Sequence, residues 1–210
     1  MKIKTLYQDT NILAIDKPAG VLVDEVIEKY PKYILAHRLD RETSGVLLLA
    51  KNTKAHEFLK KQFQGRTIKK IYNTVVSGHM KNDHGIIKKP IGRSPKDFRR
   101  YLAGRGARGE LRESETFFKV LKRFEDKKIK FTYLEVRPKT GRTHQIRVHM
   151  KYLNHPVVGD ELYNPDSVSP TGIKRMMLHA LSIEFNNLKD KLVKVESSLP
   201  AEFKKVLKLK

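Results

Sequence analysis

Asp40 lies in the stretch HRLDRETSG, with Arg38 and Arg41 beside it and the apolar run VLLLA just beyond. A carboxylate in that setting can cap a turn, pair with a neighbouring guanidinium, bind a metal or attack a substrate, and the stretch alone leaves all four open. A second group of polar side chains, Arg142, His144 and Arg147, sits in GRTHQIRVHM at what reads as a helix start. A third candidate, Tyr72, belongs to the β-branched and aromatic run TIKKIYNTVVSG.

Several chemistries can be set aside. The chain has no cysteine, so it has no thiolate nucleophile, disulfide framework or thiolate zinc site. It has no GxxxxGK[ST] phosphate loop and no GxGxxG after a strand; GRGARG, rich in arginine and without a strand before it, is a weak match. Eight histidines are present without HExxH. His144 and His149, five residues apart, would point ~140° away from each other on one helix. Asp160 and Glu161 are adjacent and fall on different sides of a strand or turn. A two-metal nuclease would have to gather its carboxylates from distant parts of the chain. Ser44 sits in TSG, not in a GxSxG elbow.

Charge is the strongest compositional signal: 44 Lys+Arg against 23 Asp+Glu, a formal net charge of +21. A surplus of this size, spread along the chain rather than gathered on one amphipathic helix, points to nucleic acid before a membrane surface. No apolar stretch approaches the ~18–20 residues that cross a bilayer, and the start, MKIKTLYQDTNILAIDKPAG, lacks a secretory signal's apolar core. A cytoplasmic protein is expected. The length suits a single domain spanning 1–210, of one core or of two halves sharing it.

These side chains need a scaffold. Asn11–Asp16 reads as a strand and Val46–Ala50 as a buried strand. Residues 53–64 read as a helix capped by Asn52 or Thr53 and ended at Gly65 by a left-handed turn. Two long strands should meet in a hairpin around Glu125–Lys128, with Phe131 and Tyr133 on one face of the second and Leu134 and Val136 on the other. The run after Gly141 reads as a helix capped by Thr143, with Ile146, Met150 and Leu153 on one stripe. MLHALSIEF is a further strand, and the chain ends in a strand and a helix with Pro200 in its first turn. Strands and helices mix without strict alternation, so the fold class is α+β around an extended, mainly antiparallel mixed sheet. Residues 88–112, rich in Gly, Pro and Arg, read as a basic loop or extended hairpin that grips a phosphate backbone, with Arg93, Arg99, Arg100 and Arg105 as its cations.

Taken together, HRLDRETSG before an apolar strand, the tyrosine of KKIYNTVVSG, GRTHQIRVHM and MLHALSIEF resemble the RluA family of pseudouridine synthases. DxxILAIDKPAG, HPVVGDELY, the LHA strand and the terminal LP extend the resemblance over nearly the whole chain. It implies the pseudouridine synthase fold with a central RNA-binding cleft, and isomerisation of uridine in ribosomal RNA, favoured here over tRNA. The implied reaction needs no cofactor and no metal. By resemblance Asp40 is the nucleophile, Arg147 its charge partner, and Tyr72 the residue that stacks on the base and takes part in proton transfer. Arg38 resembles a wedge that fills the space of an extruded base. Arg142 and His144 contact RNA or shape their loop, and His37, Thr43, Ser44 and Gly45 hold the catalytic loop. The family often carries an S4-like RNA-binding domain ahead of the catalytic one; none is read here. The stretch between Gly20 and His37 is short for the family, and Asn73 and Thr74 are polar where its strand is usually apolar. A monomer without an obligate protein partner is expected. The alternative is a non-catalytic RNA-binding or ribosome-assembly protein that keeps the fold.

Overall fold

The computed structural model describes residues 3–104, 106–166 and 168–208. The chain forms two compact units, one from residues 1–71 and 179–199, the other from 72–178 and 200–210.

In the first unit, β1 (Lys4–Gln8) pairs antiparallel with β2 (Ile12–Lys17), which covers the strand expected at Asn11–Asp16. Next come α1 (Val23–Lys29), the short β3 (Ile34–Leu35), β4 (Ser44–Ala50) and α2 (Thr53–Gln64). The unit closes with β12 (Leu178–Asn186, of which Leu178 belongs to the second unit) and β13 (Leu192–Glu196). β2 and β3 run antiparallel to β4, while β12 pairs with β4 in parallel through His179 opposite Ser44 and Ala180 opposite Gly45. Every residue of β4 is buried, which explains its unbroken apolar run: a strand enclosed on both faces shows no alternation. Leu47, Leu48 and Leu49 are fully buried, each stabilising the fold by about 1.5–3 kcal/mol.

α2 begins where the side chain of Asn52 accepts a hydrogen bond from the Ala55 N–H at 2.8 Å. It lays Ala55 and Leu59 against Ile12, Leu48 and Phe185. Its end differs from expectation. Gly65 is right-handed (φ −73°), and the left-handed residue is Arg66 (φ 58°). The chain thus runs one residue further before it reverses. α1 was not foreseen; it is only seven residues long and buries Val23 and Val26.

In the second unit, β5 (Lys69–Ser77, its first three residues in the first unit), β11 (Ile129–Pro138), β10 (Glu115–Asp126) and β6 (His84–Lys88) pair antiparallel in that order. The β10–β11 hairpin turns at Lys127 and Lys128, both at positive φ, the geometry of a two-residue turn matched to strand twist. Phe131, Thr132, Tyr133, Leu134 and Val136 are all buried, so both expected faces of β11 are covered. The polar residues of β5 are satisfied in place: Asn73 donates to Leu134 O (3.4 Å) and the Thr74 hydroxyl to Met177 O (2.8 Å).

The basic segment is more ordered than the expected loop or hairpin. β7 (Ile91–Arg93), β8 (Tyr101–Ala103) and β9 (Arg108–Arg112) form a three-stranded sheet in the order β8-β7-β9. Two of its strands have three residues, and β9 is exposed throughout, so no apolar alternation could mark them. The unit is completed by α3 (Gln145–Tyr152) and α4 (Ala201–Leu207). Pro200 caps α4 rather than lying within its first turn.

Candidate active-site elements

The loop carrying Asp40 is fixed along its length within the first unit. Ahead of it, the Leu48 N–H donates to His37 Nε2 at 3.1 Å, and the His37 ring packs on Phe63 with centroids 5.1 Å apart. The residues then alternate: Arg38 exposed, Leu39 buried, Asp40 half-buried. A turn follows, closed by the Thr43 N–H donating to Asp40 O at 3.1 Å.

Lys17 holds this turn from below. Its side chain is fully buried, and its ammonium donates to Pro18 O (2.9 Å), Val21 O (2.8 Å) and Arg41 O (3.0 Å). The Gly20 N–H also donates to Arg41 O, at 2.8 Å. A buried ammonium with its three protons taken up by carbonyls is a rigid fixture, because leaving any one unmet is costly. Beyond the turn, Ser44 Oγ and His179 Nδ1 lie 2.8 Å apart. Gly45 has φ +112°, and a Cβ there would stand 2.1 Å from Ala180 O. Only glycine lets β4 approach β12 this closely. The sequence reading missed Lys17; its one visible signal was a lysine in the DKPAG stretch.

His37 and Lys70 share this unit. Burial, with a contribution from the Lys70 charge, pushes the His37 imidazole down to about 3, and burial lowers the Lys70 ammonium to about 8. His37 is therefore a neutral acceptor. Its contribution to stability is complete above the unfolded-state pKa of ~6.5 and is lost as the pH falls from there toward the folded value. Between pH 7.5 and 5 this one residue should remove about 2 kcal/mol. Urea unfolding across that range should show the fall, and His37→Gln should flatten it. Equal stability of the wild-type protein at both ends would contradict the assignment.

In the second unit the helix α3 gathers the groups of GRTHQIRVHM. Thr143 does not cap it. The cap position falls on His144, in a left-handed conformation (φ 55°) without a side-chain cap bond. Gln145, buried at the first helical position, organises the preceding loop instead. Its Oε1 accepts from the Thr140 hydroxyl (2.7 Å) and the Arg142 N–H (3.0 Å), and its Nε2 donates to Glu115 O (3.0 Å) and Thr116 Oγ1 (2.9 Å). Arg142 Nε donates to Glu113 O at 3.0 Å.

The same network continues through His149, which is fully buried. Lys89 O, an acceptor only, lies 3.0 Å from its Nε2, so that nitrogen carries the proton and Nδ1 accepts from the Thr116 hydroxyl at 2.8 Å. Burial lowers its pKa, so His149 adds to the pH dependence with the same sign as His37.

Arg147 is almost fully buried and forks Asp160: Nε to Oδ2 at 2.7 Å and Nη2 to Oδ1 at 2.8 Å. Asp160 Oδ1 also accepts from the N–H groups of Leu162 (3.0 Å) and Tyr163 (3.1 Å). The Tyr163 ring lies under the guanidinium at 5.1 Å. The Tyr163 hydroxyl accepts from the Tyr101 N–H at 2.8 Å and lies 3.0 Å from His144 Nδ1. The His144 ring stands edge-on to both Tyr101 and Tyr163. Asp160 and Tyr163 were missed as positioning residues, although both lie in the HPVVGDELY stretch. The resemblance assigns Arg147 to Asp40; the fork to Asp160 uses Nε and Nη2.

Tyr72 is half-buried on β5, opposite Val136, and packs against the core of its unit. In the basic sheet, Arg93 is exposed, with its guanidinium 5.7 Å from the Tyr101 ring centroid. Arg99 forks Asp97 through Nε (3.1 Å) and Nη2 (2.9 Å), and Arg100 Nε lies 3.6 Å from the same carboxylate. These contacts hold Asp97 down at about 2, the Arg99 hydrogen bonds leading. Arg105 lies outside the described residues. Among the described residues no group of three or more His, Cys, Asp or Glu is placed to hold a metal ion, and no helix is long and apolar enough to cross a membrane.

Residues 11–152 match the family model described as RNA pseudouridylate synthase. An RNA pseudouridine synthase of Aquifex aeolicus is 38% identical over 192 residues, covering 80% of this chain and 58% of its own length. Ribosomal large subunit pseudouridine synthase D of Borreliella burgdorferi is 32% identical over 224 residues, covering 96% of this chain and 66% of its own. The chain thus spans between a little over half and two thirds of these curated relatives. Among solved structures, human RNA Pseudouridylate Synthase Domain Containing 1 superposes with a TM-score of 0.83 at 29% identity, over 95% of this chain and 84% of that one. With its α+β units, its intact HRLDRETSG loop and a family match over most of its length, the chain belongs to the RNA pseudouridylate synthase family, isomerases that act on RNA.

Proposed function

We propose that this protein converts specific uridines in structured RNA to pseudouridine, with Asp40 as the nucleophile. The observation that carries the reading is the Asp40 turn, whose backbone is held by the buried Lys17 ammonium and followed by a glycine that no other residue can replace. A carboxylate that must meet a reacting atom gains from such a support, because holding it in the reactive geometry lowers the entropic cost of the encounter.

The reaction breaks the N1–C1′ bond of uridine, turns the base and joins C5 to C1′. C5 gives up its proton and N1 gains one, so the atoms balance without oxidant, nucleotide or water. Tyr72 is the residue for stacking on the base and for proton transfer, and Arg147 the cation that accompanies the aspartate. Arg38, exposed beside Asp40, fills the space left when the base is flipped out of its stack, a step that costs a few kcal/mol and is offset by phosphate contacts and stacking. The net charge of +21 and the basic sheet serve those phosphate contacts. Ribosomal RNA is the favoured substrate over tRNA, in keeping with the name of the Borreliella burgdorferi relative.

The test is direct. Purified protein with ribosomal RNA and tRNA transcripts in excess EDTA should form pseudouridine, in the ribosomal RNA foremost, and leave the strands uncut. RNA binding without any pseudouridine would favour a non-catalytic RNA-binding protein, and strand cleavage would favour a nuclease.

A further inference from the structure

Phe98 is the most exposed large apolar side chain among the described residues, at 79%. It sits in the turn between β7 and β8, and the turn is not loose. The Ser94 N–H donates to Arg100 O and the Arg100 N–H to Asp97 O, both at 2.9 Å. Ser94 Oγ accepts from the N–H groups of Lys96 (3.2 Å) and Asp97 (3.4 Å), and Asp97 Oδ1 accepts from the Arg99 N–H (3.0 Å). These bonds hold the turn in shape while the ring projects into solvent.

The surroundings of the ring narrow what can cover it. Lys96, Arg99 and Arg100 are its neighbours in the turn, and Asp97 aims the Arg99 guanidinium. A purely apolar partner would have to desolvate these cations. RNA meets both demands at once, because its phosphates accept the cations while an unpaired base offers a flat face to the ring. A base inside a duplex has no free face. Resting on the RNA reading above, we propose that Phe98 is a stacking platform for an unpaired base of the substrate RNA, with the adjoining arginines on its phosphates.

The chain contains no tryptophan, so Phe98→Trp places a single tryptophan, excited apart from the tyrosines, at the platform. Its fluorescence should be quenched by an RNA with a single-stranded loop and not by a duplex of the same composition. Phe98→Ala and Phe98→Leu should each weaken binding of the looped RNA by about tenfold, and Phe98→Tyr should not. Leucine keeps the apolar surface and removes the flat ring, so it isolates stacking. Wild-type affinity in both Phe98→Ala and Phe98→Leu, or unchanged Phe98→Trp emission at saturating RNA, would overturn the proposal. A blue shift with rising protein concentration and no RNA would also overturn it, since a second copy would then cover the ring. Pseudouridine formation is measured on the same preparations. If the wild type forms product while Phe98→Ala binds normally, the platform alone is wrong; if the wild type neither binds nor forms product, the RNA reading falls with it.

Discussion

Asp40→Asn is expected to lower pseudouridine formation by about 10^4-fold or more, the scale of losing a covalent nucleophile, while leaving RNA affinity and unfolding behaviour close to wild type. The backbone of the turn is insulated from this change. The turn is closed through the backbone of Asp40, whose carbonyl accepts from Thr43, and through the backbone of Arg41, which receives the Lys17 and Gly20 donors. Asparagine preserves both sets. It keeps the size of the side chain, exchanges one acceptor oxygen for an N–H donor, and removes the charge and the nucleophilicity. Rates are compared at saturating RNA with binding measured separately. Equal product from both proteins would exclude Asp40 as the nucleophile, and lost binding would show that the carboxylate shapes the RNA surface instead.

Asp160→Ala should damage the fold severely. It leaves the Arg147 guanidinium, only 4% exposed, without its fork, and strips two turn N–H groups of their acceptor. Removing one partner of a buried pair costs about 3–5 kcal/mol, equivalent to roughly 10 °C in a chain of this size. Activity should fall beyond what unfolding explains. Asp160→Asn preserves the shape but turns an N–H toward the guanidinium, so Arg147 loses its aim. At temperatures where Asp160→Asn remains folded, kcat should drop at least about tenfold with little change in KM for RNA, as for a group that acts on the transition state. A variant with the wild-type midpoint and full kcat would show that the fork neither stabilises the fold nor serves catalysis.

Much of the scaffold could be read from the chain because its signals are local. The buried strand β4 announces itself by an unbroken apolar run. The helix α2 carries both its cap and its stripe within a dozen residues, and the β10–β11 hairpin shows two long strand-like arms. The Asp40 loop was legible for another reason: its residues are contiguous, so type and order suffice. What escaped notice depends on residues that meet only after folding. Nothing in the spacing pairs Arg147 with Asp160, thirteen residues on, because the two lie on a helix and a turn whose approach is set by packing. Lys17 looked like a boundary residue beside a proline, and only the folded loop supplies the three carbonyls that make a buried lysine tolerable. The left-handed His144 was taken for helix because Thr143 is the better cap by residue type, while Gln145, the next residue, holds the loop. The basic sheet was hidden by its brevity and exposure, since pairing there relies on backbone bonds and a few buried contacts such as Ile91 against Val148 and Tyr163.

The most direct test of the central claim is a pseudouridine map of total RNA from cells with and without this protein. We expect at least one uridine, in ribosomal RNA foremost, to be modified only when the protein is present. Re-expressing the wild type should restore the modification, and re-expressing Asp40→Asn should not. Identical maps with and without the protein, or full restoration by Asp40→Asn, would contradict the account.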